Sequence, residues 1–276
     1  MKSFNVSRFF FWVGILFLYV PMVILVIYSF NSSRLVTVWA GWSTQWYGEL
    51  FANRQLMASV GRSLQVAFFS ACSATVFGML ASIVVVRIRR FRGKSLFNSM
   101  ITAPLVMPDV IIGLSLLLLF VSMQQWVGWP PSRGLLTIWI AHTTFSMAYA
   151  TVVISSRLRE MDTSIEEAAQ DLGATPLKTF IFITLPLISP ALLSAWLLAF
   201  TLSLDDVVIA SFVTGPGATT LPIEVLSSVR RGVSPQINAL ATLIILVVSL
   251  VAFSSWYFTR KLEMKRRAEQ RMAMEN

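Results

Sequence analysis

Runs of roughly 20 consecutive apolar residues dictate the architecture of this chain, because a run of that length crosses about 30 Å of hydrocarbon as a helix. Six are present, at about Phe9 to Phe30, Leu64 to Val86, Phe97 to Met123, Leu135 to Ile154, Leu187 to Val213 and Leu240 to Phe258. In hydrocarbon every backbone N–H and C=O must be satisfied within the structure, so only helices or a closed barrel can span. Barrel strands alternate apolar and polar residues, and uninterrupted apolar runs contradict that pattern. With 56% hydrophobic and 13% charged residues and a mean hydropathy of +0.72, the 276-residue chain lies far from soluble norms. The expected fold is all-α: a polytopic membrane protein with about six transmembrane helices, forming a single transmembrane domain over residues 1–276. The first run follows Lys2 and Arg8 as a signal peptide would. It is too long for that and lacks a small-residue cleavage site, so it is expected to stay as a span.

Lysine and arginine set the orientation. One set of connecting segments carries Lys2 and Arg8, the cluster from Arg87 to Lys94, Arg157, Arg159 and Lys178, and the basic residues from Arg260 to Arg271. The opposite set holds only Arg34, Arg54, Arg62, Arg133, Arg230 and Arg231. The positive-inside rule places the richer side, and with it both termini, in the cytoplasm. The net charge of +9 follows from this asymmetry and from contact with anionic lipid, so nucleic acid is not an expected partner. After Arg260 the basic tail is expected to be helical for a turn or two and then to fray.

Catalysis lacks its parts. His142 is the only histidine and Cys72 the only cysteine, too few for a His/Cys zinc site or a Ser/His/Asp system. No metal, catalytic or cofactor-binding residue is expected, and the chain is not read as an enzyme. Gly93-Lys94-Ser95 imitates the end of a phosphate-binding loop, but Ile88 stands where that pattern needs glycine. Any ATP that drives this protein is bound by another chain. His142 lies within a span and is expected to be hydrogen-bonded between helices.

Two features point to function. The segment 157–186 is a polar loop on the basic side, reading Ile165-Glu166-Glu167-Ala168-Ala169-Gln170-Asp171-Leu172-Gly173 before Thr175-Pro176. Ile165, Ala168, Ala169 and Leu172 form one apolar stripe on a short helix, with a capping box from Thr163 to Glu166 or Ser164 to Glu167 and a left-handed stop at Gly173. Thr175 and Pro176 suit the start of a second short helix, making an elbow. Such a short helix needs other surface to order it. The second feature is a set of carboxylates, Asp109, Asp205 and Asp206, inside apolar runs, where each costs about 2.5 to 3.5 kcal/mol. Counted along continuous helices, Asp109 lies about 18 Å from the inner boundary and Asp205 about 27 Å, placing them on the outer half of a pathway suited to a cation. Asp205 and Asp206 point about 100° apart, so one is expected on the path and the other to cap or hydrogen-bond within the bundle. Trp39, Trp42, Trp46 and Tyr47 are expected to anchor the interface.

Glu167-Ala168-Ala169, then Gly173, then hydrophobics ending at Leu185-Pro186, resemble the EAA loop of permease subunits in bacterial ATP-binding-cassette importers. The resemblance continues through Ala103-Pro104-Leu105-Val106-Met107-Pro108-Asp109, Ser203-Leu204-Asp205-Asp206, Thr214-Gly215-Pro216-Gly217 and Asn238-Ala239-Leu240-Ala241-Thr242. It is with the second permease subunit of spermidine/putrescine importers, the putrescine system above all. The resemblance implies a type I importer (MetI-like) fold in the bacterial inner membrane. It also implies three kinds of partner: a second homologous permease, two ATP-binding-cassette ATPase subunits and a periplasmic polyamine-binding protein. The loop becomes a coupling helix that docks on the ATPase through Glu166, Glu167, Ala168, Ala169, Leu172 and Gly173, and Asp109, Asp205 and Asp206 become candidates on the substrate path. The alternative is an ion-coupled secondary amine transporter, which would accumulate amine under an ion gradient with no ATPase.

Overall fold

Thirty-four residues from Arg54 to Arg87 form one helix whose buried face is built from Ser59, Ser63, Ala67, Ser70, Ala71, Ala74, Gly78 and Ala81. Small residues there let backbones approach closely, the usual way to pack helices where lipid removes any hydrophobic drive. The computed structural model describes residues 6–35, 38–88, 90–232 and 234–275, with side chains omitted at 6, 7, 255, 258, 259 and beyond 261. Lys2, Arg89 and the side chains of Lys265, Arg266, Arg267 and Arg271 lie outside the described residues.

The regular elements are helices: α1 (Val6–Tyr28), α2 (Gln45–Ala52), α3 (Arg54–Arg87), α4 (Lys94–Val106), α5 (Asp109–Val127), α6 (Leu135–Glu160), α7 (Ser164–Asp171), α8 (Pro176–Thr179), a π-helical turn (Phe180–Thr184), α9 (Leu185–Asp205), α10 (Val208–Val213), α11 (Leu221–Arg231) and α12 (Pro235–Glu275). Six helical stretches among the described residues are long and apolar enough to cross a membrane. The helices gather into two compact units, one formed by residues 1–54 with 227–276 and the other by 55–226.

In the first unit α12 packs on α1 and α2. The connection after α1 is ordered by Asn31, whose side chain donates to Val38 O at 2.7 Å and accepts from Ala40 N at 2.9 Å. Trp46 is buried and donates to Asn31 O, so it is a core residue of this loop and not an interface anchor. Trp42, by contrast, is 73% exposed and stacks edge-on with Trp39. Beyond Arg260 the chain does not fray after a turn or two, but stays helical to Glu275. Ala, Glu, Lys, Arg, Gln and Met dominate that stretch, all good helix formers, and no glycine or proline interrupts it.

In the second unit, Ser82 Oγ on α3 donates to Thr151 O on α6 at 3.0 Å, and Trp139 Nε1 on α6 donates to Ser73 Oγ on α3 at 3.2 Å. Residue numbers rise together along both contacts, so α3 and α6 run parallel. Two apolar runs do not form the continuous spans expected of them. The third breaks at Met107-Pro108, because Pro108 has no N–H for the helix ladder and forces Met107 into an extended conformation with ψ 138°. The fifth ends at Asp206, also extended with ψ 126°, and restarts as α10. The second short helix expected from Pro176 does form its cap, with Thr175 Oγ1 accepting from Lys178 N. It then runs through the π-helical turn straight into α9, making a 30-residue stretch from Pro176 to Asp205. The widened turn lies just before Pro186, whose ring would otherwise crowd the carbonyl four residues back.

The loop after α10 folds against the start of α6, and α11 follows it. A signal for α11 was present: Leu221-Pro222 at its start, then Ile223, Leu226 and Val229 at helical spacing. Arg62 donates to Thr219 O and Gly217 O at 3.0 and 2.8 Å, holding the loop. Gly215 is packed so tightly that an added Cβ would lie 2.0 Å from Arg133 O. Gly215→Ala is therefore expected to lower stability by about 2 kcal/mol or more, since backbone must move. Gly48→Ala, in open space on α2, is the control and should be neutral or slightly stabilising. Thermal unfolding of the two detergent-solubilised variants checks this.

Candidate functional site

His142 is the centre of the first site. It is 2% exposed, its Nδ1 lies 2.7 Å from Ser203 Oγ on α9, and its Nε2 lies 3.1 Å from Asp206 Oδ2. A neutral imidazole donating from Nε2 and accepting the Ser203 hydroxyl proton at Nδ1 satisfies all three groups; this tautomer is assigned from the network. Asp206 also accepts from Ile209 N at 3.2 Å and Ala210 N at 2.7 Å. The carboxylate thus caps the restarted helix α10 and is held by three N–H donors, which compensates its burial. This is the within-bundle role expected for one member of the Asp205–Asp206 pair. His142 has the hydrogen-bonded position between helices that its isolation in the sequence suggested.

Asp205 has a different environment. It is exposed at the last turn of α9, the end of a helix where unsatisfied carbonyls carry partial negative charge. Its carboxylate is the exposed member of the pair, beside its own backbone N–H and outside the amides that hold Asp206.

Asp109 is not in the interior of a continuous helix, and its depth cannot be counted from Phe97. It is the first residue of α5, after Pro108, and is exposed. A carboxylate in a first helical turn is stabilised by the unpaired N–H groups and the positive end of the dipole. Thr137 Oγ1 donates to Val213 O at 2.7 Å while His142 bonds Asp206, so numbers rise on α6 as they fall toward Asp206, and α6 and α10 are antiparallel. The turn at Gly128 reverses α5 into α6, so α5 and α10 run the same way. Gly113 on α5 sets their register: an added Cβ there would lie 3.3 Å from Ile209 Cα and 2.6 Å from the Phe212 ring. Asp109 and Asp206, each about one turn earlier, consequently share one end of the packed pair. His142 lies roughly 10 Å along α6 from Leu135. Ser203 entered the sequence reading only within the Ser203-Leu204-Asp205-Asp206 resemblance and was given no role; a serine in an apolar run just before the acidic pair was its available signal.

The second site is α7. Its C-terminus is as expected: Gly173 has φ +89°, Gly173 N donates to Gln170 O at 2.9 Å, and Ala174 N donates to Ala169 O at 3.0 Å, the paired bonds of a Schellman stop. The N-terminus is not as expected, because neither capping box forms. Asp162 Oδ1 accepts from Ser164 N at 2.9 Å instead, and Glu166 is drawn away to Arg87 and Thr184, both at 2.7 Å. Of the apolar stripe, Ile165, Ala168 and Leu172 are exposed and Ala169 is half-buried; Leu172 is 91% exposed. Glu167 is exposed beside them. The stripe therefore faces outward. The Ser164 amide holds the Asp162 carboxyl below its ordinary range. A depressed carboxyl stabilises the folded form above its unfolded pKa, and that support is lost as pH falls through the depressed value. Hydrogen exchange at the Ser164 amide should therefore stay slow through neutral pH and rise, relative to an uncapped amide, only on acidification below the usual carboxylate range.

Residues 74–267 match the family described as binding-protein-dependent transport system inner membrane component. The chain is 65% identical over 253 residues to the putrescine transport system permease protein PotI of Escherichia coli K12, covering 92% of this chain and 90% of the relative. It is 42% identical over 261 residues to the spermidine/putrescine transport system permease protein PotC of Haemophilus influenzae, covering 95% and 99%. Its fold is similar to a bacterial ABC transporter involved in alginate import, with TM-score 0.66 and 16% identity over 90% of this chain and 92% of the other. It is also similar to the MetNI methionine ABC transporter, with TM-score 0.59 and 18% identity over 72% and 92%. With its six apolar helices and the permease fold of ABC importers, this multi-pass inner-membrane protein belongs to the family of binding-protein-dependent transport system inner membrane components.

Proposed function

We propose that this chain is the membrane permease subunit of an ATP-driven polyamine importer, with putrescine as its substrate. The observation that carries the proposal is the 65% identity over 92% of the chain to a putrescine permease. The chain itself performs no chemistry. Its spans alternate between outward and inward openings, and separate ATPase subunits supply the work. The partners are a second homologous permease, two ATP-binding-cassette ATPases and a periplasmic polyamine-binding protein. Both termini lie in the cytoplasm with α7, and the Leu135 end of α6 faces the periplasm, in keeping with the basic residues at Arg87, Arg157, Arg159 and Lys178.

Chemistry supports a cation at the first site. A diammonium ion gains from weak carboxylate contacts in series, whereas one deep charged trap would hold it and stop passage. Asp205 offers an exposed carboxylate at a helix C-terminus, Asp109 a second at the start of α5, and Asp206 is the fixed member that shapes the bend between them. Interrupted helices whose ends meet near the middle of a membrane are a recurrent solution for such sites. On the inner side Glu167, Ala168, Ala169 and Leu172 present the docking face, and Gly173 provides the corner behind it. The ATPase groove admits Ala168 and Ala169 because they are small.

The test is uptake by proteoliposomes containing the assembled complex, its ATPase and the binding protein. Putrescine should accumulate only with ATP inside the ATPase compartment, and spermidine should compete less well. Accumulation by this chain alone under a proton or sodium gradient would instead identify an ion-coupled carrier and overturn the proposal.

A further inference from the structure

Glu166 stands at the start of the acidic face of α7, yet its carboxylate is turned into the protein, away from the exposed stripe. One oxygen, Oε1, accepts from Arg87 Nη2 at 2.7 Å and from Thr184 Oγ1 at 2.7 Å. The Glu166 side chain is 16% exposed, Arg87 is 25% exposed and Thr184 is buried. The two donors belong to different mechanical elements. Arg87 is the last residue of α3, and Thr184 closes the π-helical turn at the foot of α9.

Both elements reach the other end of the unit. α3 is locked to α6, since Gly78 is so close that an added Cβ would lie 2.8 Å from Ala150 Cβ, and Ser82 Oγ bonds Thr151 O. α9 runs to Asp205, adjoining the His142–Asp206 site. The π-helical turn lacks the ordinary hydrogen-bond ladder, which makes it the compliant part of that helix. A bond from Thr184 to Glu166 stiffens it at the point where α7 packs on it.

We propose that Glu166 is a positioning residue that passes displacement of α7 to α3 and α9 together, coupling the ATPase stroke to the helix that carries Asp205. The inference rests on the reading of the chain as an ATP-driven permease. It separates Glu166 from the docking face: Glu167 and the stripe meet the partner, and Glu166 transmits what they receive. Because both bonds end on the same oxygen, a shift of the Glu166 carboxylate acts on both donors at once. A charge-assisted bond to arginine gives the linkage its strength, and partial exposure makes it a minor contributor to stability.

The experiment measures ATP hydrolysis and putrescine uptake in the same proteoliposomes, using the full complex. Glu166→Gln preserves size and an acceptor oxygen but removes the charge; Thr184→Val removes only the hydroxyl. Each variant should co-purify with the ATPase and hydrolyse ATP at roughly the wild-type rate while moving about 10-fold fewer amines per ATP. Exchanging the charges in an Arg87→Glu, Glu166→Arg double variant should recover most of the ratio. An unchanged ratio in both single variants would overturn the linkage, as would loss of the ATPase from the Glu166→Gln complex, which would make Glu166 part of the grip. If Glu166→Gln does not fold, the ratio in Thr184→Val decides the matter. Should wild-type vesicles show no ATP-dependent uptake, the functional reading fails and not the linkage within it.

Discussion

Ala168→Trp is expected to strip the ATPase from the complex while leaving the permease inserted and folded. Ala168 is exposed on α7, so the indole has solvent to extend into and any effect on the isolated protein should be small. If Ala168 docks in the ATPase groove proposed for it, the same indole is an obstruction there. A central, well-packed interface position carries about 3 kcal/mol, roughly a 100-fold loss of affinity. Co-purification of the ATPase with a tagged permease reads the first effect, and size-exclusion and thermal unfolding of the permease read the second. Normal ATPase recovery from Ala168→Trp would place the contact elsewhere. Gly173→Trp should produce the same loss by another route, because a side chain at φ +89° strains the corner and disturbs the Schellman bonds.

The neighbouring acids Asp205 and Asp206 should respond oppositely to the same substitution. Asp205→Asn removes an exposed charge that lies outside the network holding Asp206, so protein abundance and melting temperature should hold while uptake falls about 10-fold or more. The size follows from the attraction between unit charges about 4 Å apart, which is about 4 kcal/mol at an effective dielectric of 20 and is reduced by solvent at an exposed group. Asp206→Asn instead replaces a carboxylate that accepts from His142, Ile209 and Ala210, and an amide nitrogen cannot accept. Losing buried hydrogen bonds to a charged group costs about 1.5 to 3 kcal/mol each, so the variant should melt earlier and be less abundant. Uptake normalised to protein amount separates the two. Unchanged normalised uptake in both Asp205→Asn and Asp109→Asn would return these carboxylates to structural duty.

How much could be read from the sequence differed by feature, and the difference has a physical cause. Gly173 and Thr175-Pro176 were legible because a left-handed stop and a first-turn proline are decided by the residues themselves. The six spans were legible because hydrocarbon demands a continuous apolar length. Their ends were not: α3 begins at Arg54, well before the apolar run at Leu64, since this mixed stretch of nearly three turns is helical once Leu56, Ser59 and Ser63 are packed. The break at Pro108 carried a local signal that hydropathy averages away. The break at Asp206 carried a local signal in part, since its cap bonds go to Ile209 and Ala210, but its bond to His142 comes from 64 residues away and no local rule reports it. The capping box failed for a related reason. Glu166 had the right spacing to reach back to Thr163, but Arg87 and Thr184 offered it a better pair of donors from elsewhere in the fold.

The 30 residues from Pro176 to Asp205 span about 45 Å, and Pro190 divides them nearly in half. In the alternating-access reading proposed above, tilting of the α9 part of this stretch about its middle would carry its two ends in opposite directions, so that one mouth of the passage would narrow as the other widens. A cell that stores its energy as a proton gradient needs that reciprocity, because a passage ajar at both ends would drain the gradient with every amine admitted.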